Sequence, residues 1–323
     1  MILLKTPSLK ANAAVLQGEP PRTKSQKLIQ HFKSYFWLYM FVVPTLIWYA
    51  IFCYAPLGGI IMAFKRYTGA TSIWASKWVG FKWFESFFKS YYAETIIRNT
   101  LVLSFYNLLT FPLPVIFALM INEIGNATFK KTIQTILYAP HFISTVVLVS
   151  MINIFFTKSG LVNDLLENIG IGRIDFLTSA DSFPHMYTWS FVWQNLGWNC
   201  IIYVAALSGV DPALHEAATL DGASRLQRIW HINLPTILPT VVITLIMRVG
   251  NVMASNTDKV LLMLNDLNAD TAEVIGTFVY DRGLLSSNYS YATAVGLFTN
   301  VVNLILLLTV NKVSEKVSNT SLF

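Results

Sequence analysis

Residues 211–235 read DPALHEAATLDGASRLQRIWHINLP and separate two apolar runs of the chain, 186–210 and 236–256. Each run is long enough to cross a bilayer as a helix, because about 20 apolar residues span its hydrocarbon core. Asp211 is a favourable residue at a helix start, and Gly222 permits the backbone to turn. The stretch therefore predicts two short helices, set at an angle, between two membrane helices.

The ends of the two short helices follow from the same stretch. Pro212 suits the first position of a helix, which is expected to end at about Leu220. The second short helix is expected over 223–230, and Pro235 precedes the next membrane helix. An amphipathic hairpin that lies on the membrane surface without a partner is the alternative interpretation.

The composition of the whole chain agrees with a membrane protein. Of its 323 residues, 54% are hydrophobic and only 12% are charged, whereas soluble domains carry about 25% charged residues. Soluble, disordered and fibrous classes are therefore excluded, and the length predicts one polytopic unit rather than two soluble domains. The apolar runs are too long, and alternate too little, for membrane strands. They predict an all-α fold with six transmembrane helices, at 36–64, 96–121, 132–156, 186–210, 236–256 and 291–311.

The distribution of charge predicts an orientation. The net charge of +6 is interpreted as basic loops that orient the spans, not as a surface for nucleic acid. The segments assigned to the cytoplasm carry 12 Lys and Arg residues, against 9 in the external segments. The cytoplasmic segments are 1–35, 122–131, 211–235 and 312–323, and the external ones are 65–95, 157–185 and 257–290. Both termini are thus expected in the cytoplasm, with an uncleaved first helix, because its apolar stretch is too long for a signal peptide.

The sequence offers no residues for a disulfide framework, a metal site or nucleotide binding. Cys53 and Cys200 lie far apart inside apolar runs, which disfavours a disulfide framework or a thiolate metal site. No G-x-x-x-x-G-K-[ST] sequence is present, so ATP and Mg²⁺ are expected on a separate ATPase. The five histidines show no ligand spacing. We therefore predict no catalytic, cofactor or metal site in this chain.

The short helices also carry a specific motif. The pattern E-A-A-x3-G-x9-I-x-L-P fixes seven positions across twenty residues. It resembles the signature loop of the permease subunits of bacterial ABC importers. The resemblance implies that the loop is cytoplasmic and docks in a cleft of an ATP-hydrolysing partner. The residues to which it assigns that contact are Glu216, Ala217, Ala218, Asp221, Gly222, Ile232, Leu234 and Pro235.

Other motifs extend the resemblance over residues 36–323. They are PLGGIIMAFK at 56–65, RNT at 98–100, LMINE at 119–123, PHFIS at 140–144, Trp198, YATAVGLF at 291–298 and NK at 311–312. These are similar to the polysaccharide and oligosaccharide permeases of the maltose-type class, alginate-type permeases included. Relatives tend to carry Gly-Phe-Glu where this chain has Asn256-Thr257-Asp258. The identity of the substrate is therefore not inferred from close relatives.

The resemblance implies a type I importer fold and a set of partners. It implies a second permease subunit, two ATPase subunits, an extracytoplasmic solute-binding protein, an oligosaccharide substrate and the lipid of a bacterial inner membrane. The division of the chain then follows: a cytoplasmic segment 1–35, a first helix with its external loop over 36–95, a five-helix core 96–311, and a cytoplasmic tail 312–323.

Polar residues inside the spans mark a candidate substrate pathway, because such residues usually face a partner helix or a water-filled cavity. In the run 186–210 they recur at helical spacing, where aromatic faces could stack on sugars and amides could match hydroxyls. Packing between helices is the alternative. The candidates there are Trp189, Trp193, Gln194, Asn195, Trp198, Asn199 and Tyr203. Further candidates, for which packing is the default, are Thr100, Ser104, Asn107, Asn300 and Asn303.

The run 236–256 adds a predicted polar stripe of Arg248, Asn251 and Ser255. Arg248 has no acidic partner in its own helix. It is expected to pair with a backbone carbonyl or an acid of a partner permease, or else to meet an anionic sugar such as a uronate.

Three other functions compete with oligosaccharide import. A permease of the same class for another solute, such as peptides, would share the loop. An ion-coupled secondary transporter would need intramembrane acids, and the six predicted spans contain no Asp or Glu. A membrane-bound enzyme would need an acid–base or metal constellation, which the spans lack.

Overall fold

A computed structural model of the chain describes residues 24–318 and 320–322, so most of the predicted segment 1–35 lies outside the described residues. The described part is helical, with one isolated antiparallel bridge between Lys65 and Trp78. The predicted all-α fold is confirmed. The helices are α1 Lys24–Ser34, α2 Phe36–Tyr49, α3 Lys82–Phe88, α4 Tyr91–Leu109, α5 Pro112–Asn122, α6 Ala127–Tyr138, α7 Thr145–Phe156, α8 Leu161–Asn168, α9 Phe183–Leu207, α10 Pro212–Leu220, α11 Arg225–Arg228, α12 Leu234–Val249, α13 Thr257–Met263, α14 Ala269–Ala272, α15 Ile275–Tyr280 and α16 Tyr289–Ser318.

Shorter turns of other helix types extend several of these elements. They are 3-10 turns at Ala55–Phe64 and Ala139–Phe142, and π turns at Ala50–Tyr54, Ile229–Asn233 and Asp281–Leu285.

Five helical stretches of the described residues are long and apolar enough to cross a membrane. They are Phe36–Phe64, Tyr91–Asn122, Thr145–Asn168, Arg225–Val249 and Tyr289–Ser318. The remaining predicted span, 186–210, forms helix α9, whose 25 residues extend about 37 Å. Its amides and indoles make α9 less apolar than the other five. Helix thus forms in all six predicted regions, and the most polar of the six is the one that carries most of the candidate pathway.

The chain divides into two compact units, one that ends at Gly59 and one that begins at Ile60. In the first unit, α2 is apolar on every side, and none of its residues is buried. Trp37, for example, exposes 70% of its surface. A helix that is apolar all round needs an apolar environment such as lipid. This composition is therefore the one expected of a membrane-spanning helix.

Two predicted spans are interrupted. The run 96–121 lies within the candidate span Tyr91–Asn122, but a turn separates the end of α4 at Leu109 from the start of α5 at Pro112. Proline has no N–H to continue the helical hydrogen bonds, and its ring clashes with the preceding turn. The run 132–156 is divided in the same way at Pro140, after which Ser144 starts α7 by accepting a hydrogen bond from Val147 N at 3.3 Å.

The prediction for 223–256 is also wrong in its boundaries. The second short helix is not separate, because α11 continues through the π turn Ile229–Asn233 into α12. The π turn shifts the hydrogen-bond register just ahead of Pro235, which has no N–H to donate. Helix α12 then ends at Val249, seven residues before the predicted end at 256.

The core of the second unit is built by α4, α9, α12, α15 and α16, with shorter helices packed around them. Between helices in lipid, close approach depends on small residues rather than on the hydrophobic effect. Gly197 of α9 gives the clearest case, because a Cβ atom built there lies 2.0 Å from the carbonyl oxygen of Leu137 in α6. The backbones of these two helices are in direct contact at this glycine.

Gly197→Ala is therefore expected to destabilise the permease. Insertion of a methyl group into a packed contact typically costs about 1–3 kcal/mol. The matched control is Gly296→Ala in α16, where a built Cβ meets no atom within 4 Å. Thermal unfolding of the detergent-purified proteins should give a lower midpoint for Gly197→Ala than for the control. Equal midpoints would contradict the close approach of α6 and α9.

Candidate functional site

The loop between α9 and α12 begins with a capped helix, as the sequence predicts. The carboxylate of Asp211 accepts a hydrogen bond from Ala213 N at 2.9 Å, and Pro212 occupies the first turn of α10. The helix ends at Leu220, the predicted residue. One side chain therefore satisfies a backbone donor that a helix start would otherwise leave unpaired.

Gly222 makes the bend between the two arms of the loop. Its φ of +78° lies in the left-handed region, which side chains disfavour. Two hydrogen bonds close the end of α10 around it, from Ala223 N to Ala218 O at 2.9 Å and from Gly222 N to Thr219 O at 3.1 Å. This is the Schellman arrangement, in which the glycine redirects the chain while the last carbonyls stay paired.

The second arm is capped and is tied back to the first. Ser224 and Gln227 form a capping box, with Ser224 N donating to Gln227 Oε1 at 2.7 Å. Arg228 Nη1 donates to Thr219 Oγ1 at 2.5 Å. Because this bond joins α11 to α10, the angle between the arms is fixed by a side chain as well as by the glycine.

The loop presents an exposed surface that includes apolar side chains. Of the motif residues, five are exposed and three are partly buried. The exposed ones are Glu216, Ala217, Asp221, Gly222 and Pro235, and the partly buried ones are Ala218, Ile232 and Leu234. Leu220 at the bend exposes 90% of its surface and Trp230 exposes 60%. Exposed apolar groups on an otherwise well-capped loop are typical of a contact surface.

The base of the loop is fastened to the membrane helices. Asn233 is fully buried, and its Nδ2 donates to Glu123 Oε1 at 3.3 Å, just beyond the end of α5. Ile229 and Leu234 pack against a buried cluster that α5, α9 and α12 share. A displacement of the loop would therefore be passed to these three helices.

The polar candidates of α9 divide into two groups, of which the first is occupied in helix packing. Gln194 Nε2 donates to Ile143 O at 2.8 Å. His141 Nδ1 donates to Asn195 Oδ1 at 3.1 Å. Tyr203 shares a hydrogen bond of 2.8 Å with the hydroxyl of Thr244. These contacts tie α9 to the helix break near Pro140 and to α12.

The second group of α9 candidates is wholly or partly exposed. Trp189 and Trp193 expose 58% and 48% of their surfaces. Trp198 is also exposed on one side, while its other face stacks on His141 with ring centroids 4.3 Å apart. Asn199 is partly buried and makes no hydrogen bond within the described residues. Among the polar and aromatic candidates of α9, these residues remain open to another molecule.

Arg248 finds its partners in α4. Its Nη2 donates to the carbonyl oxygen of Asn107 at 2.7 Å, and it also donates to the side-chain oxygen of Asn107 and to Thr110 Oγ1. The ring of Phe111 lies 5.7 Å from the guanidinium carbon. No described carboxylate forms an ion pair with Arg248, so its positive charge is not neutralised there.

The predicted stripe of Arg248, Asn251 and Ser255 does not exist as one helix face. Because α12 ends at Val249, Asn251 and Ser255 lie in the non-helical segment that follows. Asn251 is exposed and donates to Met247 O at 2.9 Å. Ser255 Oγ is buried without a hydrogen-bond partner.

Ser255 lines a cavity of about 210 Å³ between α4, α9 and the segment after α12. Thr188, another cavity residue, has a second buried hydroxyl without a partner. The remaining lining residues are Leu103, Ser104, Asn107, Tyr187, Phe191, Val252, Ala254 and Asn256. Of these, the sequence analysis named Ser104 and Asn107 as further pathway candidates, with packing between helices as the default.

The lower-ranked polar candidates mostly stabilise backbone groups. Thr100 accepts a hydrogen bond from Ile275 N, and Asn303 accepts one from Met253 N, both at 3.0 Å. Asn300 is exposed. Thr188 and Tyr187 were missed altogether. Only their position at the start of an unusually polar span could have indicated them.

Comparisons with known proteins place the chain in a family. Residues 92–319 match the family of binding-protein-dependent transport system inner membrane components. Protein LplB of Bacillus subtilis is 41% identical over 89% of this chain and 91% of its own. The polygalacturonan/rhamnogalacturonan transport system permease protein YteP of the same organism is 38% identical over 97% of each chain.

Solved structures show the same fold. A chain of a bacterial ABC transporter involved in the import of the acidic polysaccharide alginate is 38% identical, with a TM-score of 0.83 over 90% of this chain and 99% of that chain. A chain of the bacterial alginate ABC transporter in complex with an alginate pentasaccharide-bound periplasmic protein has a TM-score of 0.84 at 38% identity, covering 92% of this chain and 100% of that one. The predicted permease fold is confirmed. The chain belongs to the family of binding-protein-dependent transport system inner membrane components, and it has the fold of an ABC importer permease.

Proposed function

We propose that this chain is one permease subunit of an ABC importer that carries oligosaccharides across the bacterial inner membrane. The observation that supports it best is the loop 211–235, which is capped, bent at Gly222 and exposed, yet fastened at its base to three membrane helices. The polysaccharides named for YteP and for the alginate transporter support the substrate class. A peptide substrate has no comparable support.

In this proposal the loop is the docking element for an ATPase subunit. It lies in the cytoplasm with both chain termini, and ATP and Mg²⁺ are bound by two ATPase subunits rather than by this chain. A second permease completes the pathway, and an extracytoplasmic solute-binding protein delivers the sugar. The contact is assigned to Glu216, Ala217, Ala218, Asp221, Gly222, Ile232, Leu234 and Pro235.

The geometry of the loop supports a lever rather than a flexible tether. Arg228 joins the two arms through Thr219, and Asn233 joins the base to Glu123. A push on the exposed α10 is then transmitted as a rigid-body movement of α5 and α12. Closure of the ATPase subunits would tilt these helices and change access to the pathway.

Gly222→Pro is expected to reduce assembly with the ATPase or to uncouple ATP hydrolysis from transport. Proline fixes φ near −65°, against +78° at this position, and it removes the hydrogen bond to Thr219 O. Asn tolerates the left-handed region, so Gly222→Asn is the matched control. Co-purification of the ATPase and sugar uptake in proteoliposomes should fall for the proline variant alone. Full transport by Gly222→Pro would contradict the rigid lever.

We assign the substrate pathway to α9 and to the region around Arg248. Trp189, Trp193 and Trp198 offer exposed rings on which a sugar could stack. Asn199, which is partly buried, has an amide free to bond a hydroxyl. Gln194, Asn195 and Tyr203 position this surface through the helix contacts described above. Asn251, Ser255 and Arg248 complete the assignment, with Arg248 as a cation that no described carboxylate neutralises.

Replacement of Arg248 tests whether the substrate is acidic. Arg248→Gln should weaken uptake of a uronate oligosaccharide more than uptake of a neutral oligosaccharide, because it removes an unneutralised charge from the pathway. Arg98→Gln is the control, since Arg98 is also a basic residue of the membrane helices but donates to Asp270 O and does not line the cavity. Initial rates of uptake for both sugars provide the measurement. Equal losses for the two sugars in Arg248→Gln would remove the support for an acidic substrate.

A further inference from the structure

Lys259 is a buried cation that the pathway described so far does not use. It lies on α13, outside the five candidate spans, and its side chain has no exposed surface. Its Nζ donates to the carbonyl oxygen of Tyr187 at 3.1 Å. The same Nζ lies 5.2 Å from the ring centroid of Tyr187 and 5.8 Å from that of Phe191. The ammonium group is therefore held by one carbonyl and two aromatic faces.

This cation stands directly behind one wall of the 210 Å³ cavity. Tyr187 and Phe191 both line that cavity, and Lys259 contacts the two rings from outside it. Tyr187 is held in place from the other side, where its hydroxyl accepts a hydrogen bond from Asn256 N at 3.1 Å. The position of Lys259 relative to the cavity is thus fixed by the fold.

A second cation contacts another residue of the cavity wall. Asn107 lines the cavity, and Arg248 donates to both its backbone and its side-chain oxygen. Neither Arg248 nor Lys259 forms an ion pair with a carboxylate among the described residues. Two cations without a carboxylate partner therefore border a cavity that is lined by Thr188 and Ser255, whose buried hydroxyls have no hydrogen-bond partner.

The groups around Lys259 leave its charge uncompensated. The helices that pack most extensively against α13 are α7, α9 and α15, and Val260 of α13 also packs against α4 and α14 in one buried cluster. The carboxylate of α14, Asp270, is exposed, and Glu273 just after it is partly buried. Helix α7 has no titratable residue, α9 brings His185 and Tyr187 to this end, and α15 has Tyr280. The neighbouring carboxylate in the chain, Asp258, is exposed. Burial without a carboxylate lowers the pKa of Lys259 to about 7.

We infer that Lys259 is a charge-selecting residue, which favours the passage of uronate-containing oligosaccharides by making the cavity between α4 and α9 electropositive. A cation about 10 Å away at an effective dielectric constant of about 20 changes relative occupancy by roughly tenfold. The field would attract the carboxylates of a sugar that occupies the cavity. This inference rests on the proposed function and names a residue for its selectivity.

The test compares Lys259→Met, which removes the charge but keeps the length, with Lys259→Arg, which keeps the charge. The full importer is reconstituted in proteoliposomes with its binding protein. Uptake of trigalacturonate is compared with uptake of its methyl ester, which has the same length and no charge, each at a concentration that saturates the binding protein. We expect the ratio of acid to ester uptake to fall about tenfold in Lys259→Met and to be retained in Lys259→Arg.

The dependence on pH separates charge selection from a structural role. A lysine with a pKa of about 7 is charged below that pH, so the ratio in the unaltered importer should fall as the pH rises from 5.5 to 8.5. In Lys259→Arg the ratio should stay constant over this range. Were Lys259→Met not to fold, this comparison would still decide, because identical pH profiles of Lys and Arg would overturn the inference.

The outcomes also separate this inference from the proposed function. An unchanged ratio in Lys259→Met, or equal losses of acid and ester uptake, would overturn charge selection alone. Absence of uptake of both sugars by the unaltered importer would overturn the proposed oligosaccharide transport, and this inference with it.

Discussion

Backbone groups that lie within a bilayer must find their hydrogen-bond partners inside the protein, and the structure depends on this constraint. At several interruptions of the helices, side chains pair with backbone groups that the helix leaves free. Asn99 Nδ2 donates to the carbonyls of Asp270 and Glu273 at 2.9 and 3.0 Å, and Asn303 accepts from Met253 N. The polar residues of the core thus permit the helix breaks, and the breaks create the cavity between α4 and α9.

The same requirement is met in a different way at the loop 211–235. There each arm carries its own cap, and a single glycine in the left-handed region sets the bend. Because the caps leave few backbone groups unpaired, the loop keeps its shape while it exposes Glu216 and Leu220. A loop that transmits force from a separate subunit needs such a fixed exposed surface and a base that is buried among the membrane helices.

Local chemistry made much of this loop predictable. Asp211, Pro212 and Gly222 act within a few residues of their own position, so the start, end and bend of α10 could be derived from sequence alone. The helix breaks could not be placed, because Pro112 ends a helix whereas Pro44 lies inside one, and tertiary packing decides between these outcomes. Lys259 escaped detection for a related reason: a lone lysine in a polar segment is normally exposed, and only the fold brings the rings of Tyr187 and Phe191 around it.

The central claim is that the loop between α9 and α12 is the cytoplasmic contact for an ATPase. Its most direct test is a cysteine at the exposed position of Glu216, in a chain whose exposed Cys53 is replaced by alanine. An impermeant maleimide should label this cysteine only from the cytoplasmic face, and a short bifunctional reagent should crosslink it to the ATPase subunit. Labelling from the external face, or an assembled importer in which no crosslink forms, would contradict the account.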